Sequence, residues 1–361
     1  MTASLDIDTS FTESDRLDGN SGARLVRGLR LDDPQTEGPL TVLPLFSDGD
    51  DGSSDDEDAG SRYVTLHQAL GEGSAVITEL NEGGSIPELR VTNRGDAAIL
   101  MLDGEELRGA KQNRVLASTI LVERRTTLVV PVSCTEQGRW SYASREFAES
   151  EVMAERQLRY AMRRSSHTSM LHGAGVHADQ RAVWSEVRDL HLKHGTRSAT
   201  SAMRDAYEAR KRDLDRVVAA FPLMDGQQGL LVVHGSRVVG LDFVSQAPQY
   251  AELHDKLLRS YVFEALVRSG EPGGRSAPEA FLERISGLQG QRFKSPGLGW
   301  DMRFEGGGVL GSTLVHRGHV VHAAFFDVGG AKGSADEQLR DRRPSWSIFD
   351  ARQSARRRWS R

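Results

Sequence analysis

The feature that most restricts this chain is a polar segment wedged between two apolar ones. Leu102 to Arg114, LDGEELRGAKQNR, carries three carboxylates and three cations in thirteen residues. AAILML runs into it and VLASTILV follows it. Both flanks have the composition of buried strands. The charges between them must therefore gather at a strand end or be buried in pairs. In a strand, alternate side chains face opposite sides. Ala98, Leu100 and Leu102 share one face; Ile99, Met101 and Asp103 share the other. Asp103-Gly104 is a turn signal. A hairpin end at that turn brings Glu105, Glu106, Arg108, Lys111, Gln112, Asn113 and Arg114 within a few ångströms of one another.

A second polar cluster, CTEQGRW, ends the run TTLVVPVSC. Val130, Val132, Cys134 and Glu136 share one face there, so Glu136 leaves the core side at the end of the strand. Gln137, Arg139 and Trp140 follow. If the strands pair as neighbours, the two clusters meet at one edge of a sheet.

The rest of the chain reads as α+β. SAVITEL, PELRVTN, AAILML, ASTILV and TTLVVPVSC are short apolar runs between turn signals, the pattern of an antiparallel sandwich or barrel-like sheet. The period changes near Ser144, where SREFAESEVMAERQLRYAMRR reads as helix. A second helix follows Asp179, a plausible cap, with Val183, Val187 and Leu190 on one face. A third runs from about Ser198 to Ala220. GLLVVHGSRVVGLDFV is a hairpin. A helix from about Pro248 to Ser269 comes next, then SAPEAFLERI, with Ser276 and Glu279 at capping-box spacing. GVLGSTLVH and HVVHAAFFDV close the region. Gly229, Val233, His234, Val238, Val239 and Phe243 align with Gly311, Val315, His316, Val320, Val321 and Phe325. Hairpin grammar accounts for these matches as well as duplication does. The expected organisation is a disordered start at 1–22, a β-rich region at 23–147 with an acidic loop at 47–60, a helical region at 148–225, a mixed α+β region at 226–330, and an Arg-rich tail at 331–361.

Composition removes several function classes. The single cysteine, Cys134, excludes an internal disulfide and a multi-cysteine zinc site. It follows LVVPVS on an apolar face and reads as a buried thiol rather than a nucleophile. No run approaches the ~20 apolar residues of a membrane helix, and the start has no apolar leader core. A soluble cytoplasmic protein is the expectation. The net charge is −5, yet residues 1–60 hold fifteen acidic and four basic side chains, while 340–361 hold eight Arg and two Asp. These ends read as solvated tails. Aromatic residues are 6%, with no basic stripe interleaved with stacking rings, so a nucleic-acid partner is not expected. The acidic loop fails the EF-hand pattern, since Gly52 and Ala59 fall at ligand positions. His167, His172 and His177, with His191 and His194, lack a carboxylate at a metal-completing spacing, so no metal or cofactor is expected. The oligomeric state is left open.

LDGEELRGAKQNR, then PVSCTEQGRW, then VWSEV and GLLVVHGSRVVGLDF with FEAL, resemble the ARG and rhodanese-phosphatase-superfamily-associated protein domain. The resemblance covers roughly Arg24 to Val328 and matches at Asp103, Gly104, Glu105, Gln112, Asn113, Arg114, Glu136, Gly138, Arg139 and Trp140. It implies, through the association in the family's name, work near ADP-ribose, nucleotides or phosphorylated metabolites.

Two readings of the cluster stand side by side. In the first it is a pocket for a small molecule. Asp103, Lys111, Gln112, Asn113, Arg114, Gln137, Arg139 and Trp140 bind the ligand, with Arg gripping phosphate and Trp140 stacking on a ring. Glu105, Glu106 and Glu136 then supply general acid and base for a glycosidic or phosphoester hydrolysis. In the second the charges form an internal network that pins hairpins together in a non-catalytic binding or scaffolding module.

Overall fold

The computed structural model describes residues 19–47, 62–81, 83–84, 87–268 and 276–329. Most of the expected disordered start, the acidic loop beyond Ser47 and the Arg-rich tail lie outside the described residues. Ser21 and Gly22, expected to be disordered, are buried in the first turn of a helix, Ser21–Gly28.

The largest element is a nine-stranded antiparallel sheet. Its order runs Leu29–Leu31, Leu40–Ser47, Gly229–His234, Arg237–Val244, His319–Asp327, Val309–His316, Trp300–Gly306 and Gln291–Lys294, with Gln35–Glu37 added beside the second. Central strands such as GLLVVH are almost wholly buried, because both faces of the sheet are covered.

The sheet is built from two halves in matching register. Gly229 pairs with Phe243 and His234 with Arg237; Gly311 pairs with Phe325 and His316 with His319. Both hairpins carry an irregularity at the corresponding step, Val232/Val233 and Leu314/Val315. The next strand out also corresponds, with Leu45 opposite Gly229 and Phe304 opposite Gly311. Each outermost strand follows a helix, Ser21–Gly28 in one half and Ser276–Ser286 in the other. Where the halves meet, Asp242 pairs with Ala324, and these two residues hold the same place in their respective hairpins. The correspondence extends over four strands and a helix, further than shared hairpin grammar reaches.

The halves differ in two connections: Gln35–Glu37 is added between the first two strands of one half, and a larger difference follows the second. Gly307–Gly308 turns the chain between Trp300–Gly306 and Val309–His316. In the other half, residues 48–228 intervene between the equivalent strands. This long insertion carries the charged motifs. It contains a three-stranded sheet of Tyr63–Thr65, Ala98–Met101 and Ile120–Val122, and a six-stranded sheet ordered Phe147–Met153, Glu105–Gly109, Arg114–Leu116, Thr127–Cys134, Glu88–Asn93, Ala75–Thr78. Ile77, Val91, Ile99, Met101, Leu107, Leu116, Ile120, Val130 and Val132 form the core between them. The segment Phe147–Met153, expected to be helical, is a strand held by pairing to Glu105–Gly109.

Helices Arg156–Leu171, Gln180–His194 and Ala247–Ala265 contribute Leu158, Met162, Leu190, Leu257 and Phe263 to a core on one face of the large sheet, together with Val232, Val244 and Phe326. The two corresponding helices cover the other face through Leu25, Phe281 and Ile285. The expected helix over 198–220 is two, Met203–Ala209 and Lys211–Val218, parted at Arg210. These elements belong to one unit that ends at Asp327.

Candidate functional site

The chain does not turn back on Ala98–Met101 at Asp103–Gly104; the hairpin forms further on, where Glu105–Gly109 pairs with Arg114–Leu116 and Leu107 lies opposite Arg114. Ala98–Met101 belongs to the three-stranded sheet and Glu105–Gly109 to the six-stranded one, so Leu102–Gly104 is where the chain changes sheets. Gly104 has φ +88°, and a Cβ there would lie 2.8 Å from Arg159 Cγ. Glycine is required at this turn both by its backbone and by the side chain packed on it.

Asp103 points into the interface with the nine-stranded sheet. Its Oδ2 accepts from Arg163 (2.5 Å) and its Oδ1 from Thr119 (3.1 Å), with Arg159 3.5 Å away. Arg159 grips both oxygens of Asp242, at 2.9 and 2.6 Å, and Tyr261 donates to the same carboxylate at 2.6 Å. Arg163 also donates to the Ala324 carbonyl (2.7 Å). His322 lies between Thr119 Oγ1 (3.0 Å) and Asp242 Oδ1 (3.5 Å). Alongside, Arg303 bonds Asp301 and Ser118. All of these groups are buried. Burial acts to raise the Asp103 pKa, but Arg163, Arg159 and further cations outweigh it and hold the carboxyl far below its ordinary range. Three Arg thus meet three Asp at the centre of the duplicated sheet.

The three carboxylates expected to be catalytic go to different partners. Glu105 and Glu106, successive on a strand, face opposite sides. Glu105 accepts from Leu102 N (2.7 Å) and from Lys256 (2.9 Å), whose amine also bonds Glu149. Glu106 accepts from Thr135 (3.2 Å) and Ser150 (2.9 Å). Burial pushes it up to about 7, against the pull of Ser150, Arg204 and Thr135. Glu136 takes two bonds from Arg139, at 2.9 and 2.6 Å, one from Thr200 (2.9 Å) and one from Asn113 N (3.1 Å). Burial acts to raise its pKa, but those bonds outweigh it and hold the carboxyl below the ordinary value.

The two polar segments do converge. Arg139 donates to Asn113 Oδ1 (3.2 Å) and to the carbonyls of Ala110 (2.7 Å) and Gly109 (3.3 Å). Asp103, Glu105, Glu106, Gln112, Asn113, Arg114 and Glu136 are buried, while Gln137 and Trp140 are exposed and Lys111 and Arg139 intermediate. Convergence here produces a mostly closed arrangement with a small rim at the surface.

At that rim Trp140 is 49% and Tyr142 51% exposed. Lys111 Nζ lies 5.3 Å from the centre of one ring and 5.1 Å from the other, and donates to the Gly83 carbonyl (2.8 Å). Below the indole, at 5.8 Å, is the Arg114 guanidinium. Arg114 donates from one terminal nitrogen to Gln112 (3.2 Å), and Cys134 Sγ donates to the same Gln112 oxygen (3.0 Å). Burial pushes the Cys134 thiol up to about 11, which makes it a poor nucleophile at neutral pH. Glu79 faces Arg114 at 3.6 Å.

Among the described residues, no group of three or more His, Cys, Asp and Glu is placed to hold a metal ion. His167 bonds Gln291 (2.8 Å), His191 bonds Thr196 (2.8 Å), and His194 stacks on Phe263 at 3.9 Å. A surface groove of about 420 Å³ lies between Lys211–Val218 and Ala247–Ala265, lined by Phe221, Leu223, His254 and Arg259, and none of the residues chosen from sequence lines it. No described helix is long and apolar enough to cross a membrane.

The model of the ARG and rhodanese-phosphatase-superfamily-associated protein domain matches residues 28–326. The chain belongs to this family. The match takes in both halves of the large sheet and the whole insertion, so fold and family cover the same stretch. Searches of the curated proteins and of the solved structures find no match.

Sequence reasoning missed Glu79, Arg159, Arg163, Asp242, Lys256 and His322. One signal was available. Arg156, Arg159 and Arg163 recur at helical spacing with Leu158, Met162 and Ser166, and all six are buried. Cations on the apolar face of a helix announce buried carboxylates elsewhere.

Proposed function

We propose that this chain is a non-catalytic binding module for an anionic small molecule with a planar ring, nucleotide-like in class, received at the rim of Lys111, Trp140 and Tyr142. The observation that carries this reading is the rim itself. Two exposed aromatic rings flank one cation, and a second cation lies beneath the indole. Rings that stack on a base, next to a surface cation that meets a phosphate, suit this ligand class. The family's named association with ADP-ribosylglycohydrolase-like domains agrees with it.

The form of the reading in which the site hydrolyses its ligand has less support. Glu105 and Glu136 are saturated by cations and hydrogen bonds. Glu106 is 0% exposed and held by Ser150 and Thr135. A scaffolding role without ligand is the second reading, favoured by the complete pairing of Asp103, Glu105 and Glu136.

Calorimetric titration of the full chain with ADP-ribose, AMP, GMP and inorganic pyrophosphate decides between them. The binding reading predicts uptake of at least one ring-bearing anion. Trp140→Ala should weaken it about tenfold or more, since stacking on an aromatic ring is worth about 1–3 kcal/mol, with an unchanged melting temperature. No uptake of any probe, or uptake indifferent to Trp140→Ala, supports the scaffold.

A further inference from the structure

Beneath Trp140 the hydrogen bonding is left unfinished. Both oxygens of Glu79 are shut from solvent and have no hydrogen-bond partner among the described residues, and neither do Nε and one terminal nitrogen of Arg114. The Glu79 side chain is 4% exposed and that of Arg114 0%. Their 3.6 Å separation makes an ion pair but exceeds hydrogen-bond reach. The unused nitrogens of Arg114 are those of its two-pronged edge, the edge that normally takes two acceptors at once. Buried polar groups are nearly always satisfied, and each orphan is costly. Here a carboxylate and a guanidinium lie side by side, each with a pair of positions unfilled, under an aromatic roof. Gly84 allows the roof to lie close: a Cβ there would stand 3.2 Å from Lys111 Cδ and 3.4 Å from the Trp140 ring.

We infer that Glu79 and Arg114 form a base-recognition subsite for a guanine ring. This inference rests on the ligand reading above and names the ligand's base. A ligand filling both unfilled pairs must present two adjacent donors, then two adjacent acceptors, along one planar edge. Guanine does so in order: the 2-amino group and N1–H for the carboxylate, then O6 and N7 for the guanidinium. The pairing of Arg with O6 and N7 is the commonest specific contact to this base. Adenine has no two adjacent donors to offer a carboxylate. A vicinal diol has them but lacks a flat face for the indole. Trp140, half exposed, turns aside to admit the ring and then stacks on it.

Titration of the full chain with GMP, IMP and AMP tests this, because IMP lacks only the 2-amino donor and AMP also loses N1–H and O6. The expected order is GMP, then IMP, then AMP, each step weakening binding by about tenfold, the worth of a hydrogen bond to a charged group. In Glu79→Gln the advantage of GMP over AMP should collapse. The wild-type series stands by itself if that variant folds poorly. Equal binding of all three nucleotides overturns the guanine inference and leaves the ligand reading intact. Binding of none overturns the guanine inference, and overturns the ligand reading too when ADP-ribose is not taken up either.

Discussion

At the scale of the residue, the charged segment owes its composition to where each side chain ends. Gly104 stands where a positive φ and the stem of Arg159 exclude any side chain. Gly104→Ala should cost about 2–4 kcal/mol in a denaturant titration, from backbone strain plus the displaced Arg159. Glu106 makes a different prediction. Burial raises it from 4.5 to about 7, so the folded protein holds a proton there that the unfolded chain releases. Its contribution to stability is complete below pH 4.5 and is lost as pH rises through about 7. A shift of this size is worth on the order of 3 kcal/mol. The wild type should therefore lose stability between about pH 4.5 and 7 by that amount relative to Glu106→Gln, followed by denaturant midpoints across the pH range; parallel curves contradict the assignment. The meeting of Asn113 with Arg139 was legible from strand alternation and the lengths of two apolar runs. The partners of Asp103 were not. Arg163 and Arg159 lie far along the chain, and only the packing of Arg156–Leu171 against Leu102–Gly104 brings them to it.

At the scale of the element, local signals read correctly where they act alone. Asp179 caps Gln180–His194, its carboxylate accepting from Arg181 N (2.9 Å) and Ala182 N (3.4 Å). Asp179→Ala should cost about 1 kcal/mol by thermal unfolding; a loss below 0.3 kcal/mol contradicts the cap. Local signals failed where pairing decided. Phe147–Met153 has the charge density of a helix surface, yet Glu105–Gly109 claims it as a neighbouring strand. The division of the following helices at Arg210 has no Gly or Pro to mark it. Lys256, in the middle of Ala247–Ala265, ties this helix to Glu105 and Glu149 of the six-stranded sheet. Lys256→Ala leaves both carboxylates without their cation and should cost about 3–5 kcal/mol.

At the scale of the whole molecule, a duplicated sheet carries a large insertion in one of its halves. Six aligned positions hinted at the duplication, but the paired registers and shared irregularity needed strand pairing to be seen. The outer strands have little sequence likeness, because a covered sheet asks only for apolar residues of suitable size. Asp242, at the junction of the halves, is where the insertion takes hold: Arg159 and Arg163 reach from Arg156–Leu171 to Asp242, Ala324 and Asp103. Asp103, near the start of LDGEELRGAKQNR, thus braces the two Arg that clasp the insertion to the sheet, while Arg108 and Lys111 reach the surface. Denaturant unfolding of Asp242→Ala, which takes from Arg159 its carboxylate on the large sheet, measures the clasp most directly. A loss of about 3–5 kcal/mol, as for any buried ion pair deprived of one partner, is the predicted result; stability within 0.5 kcal/mol of wild type would contradict it.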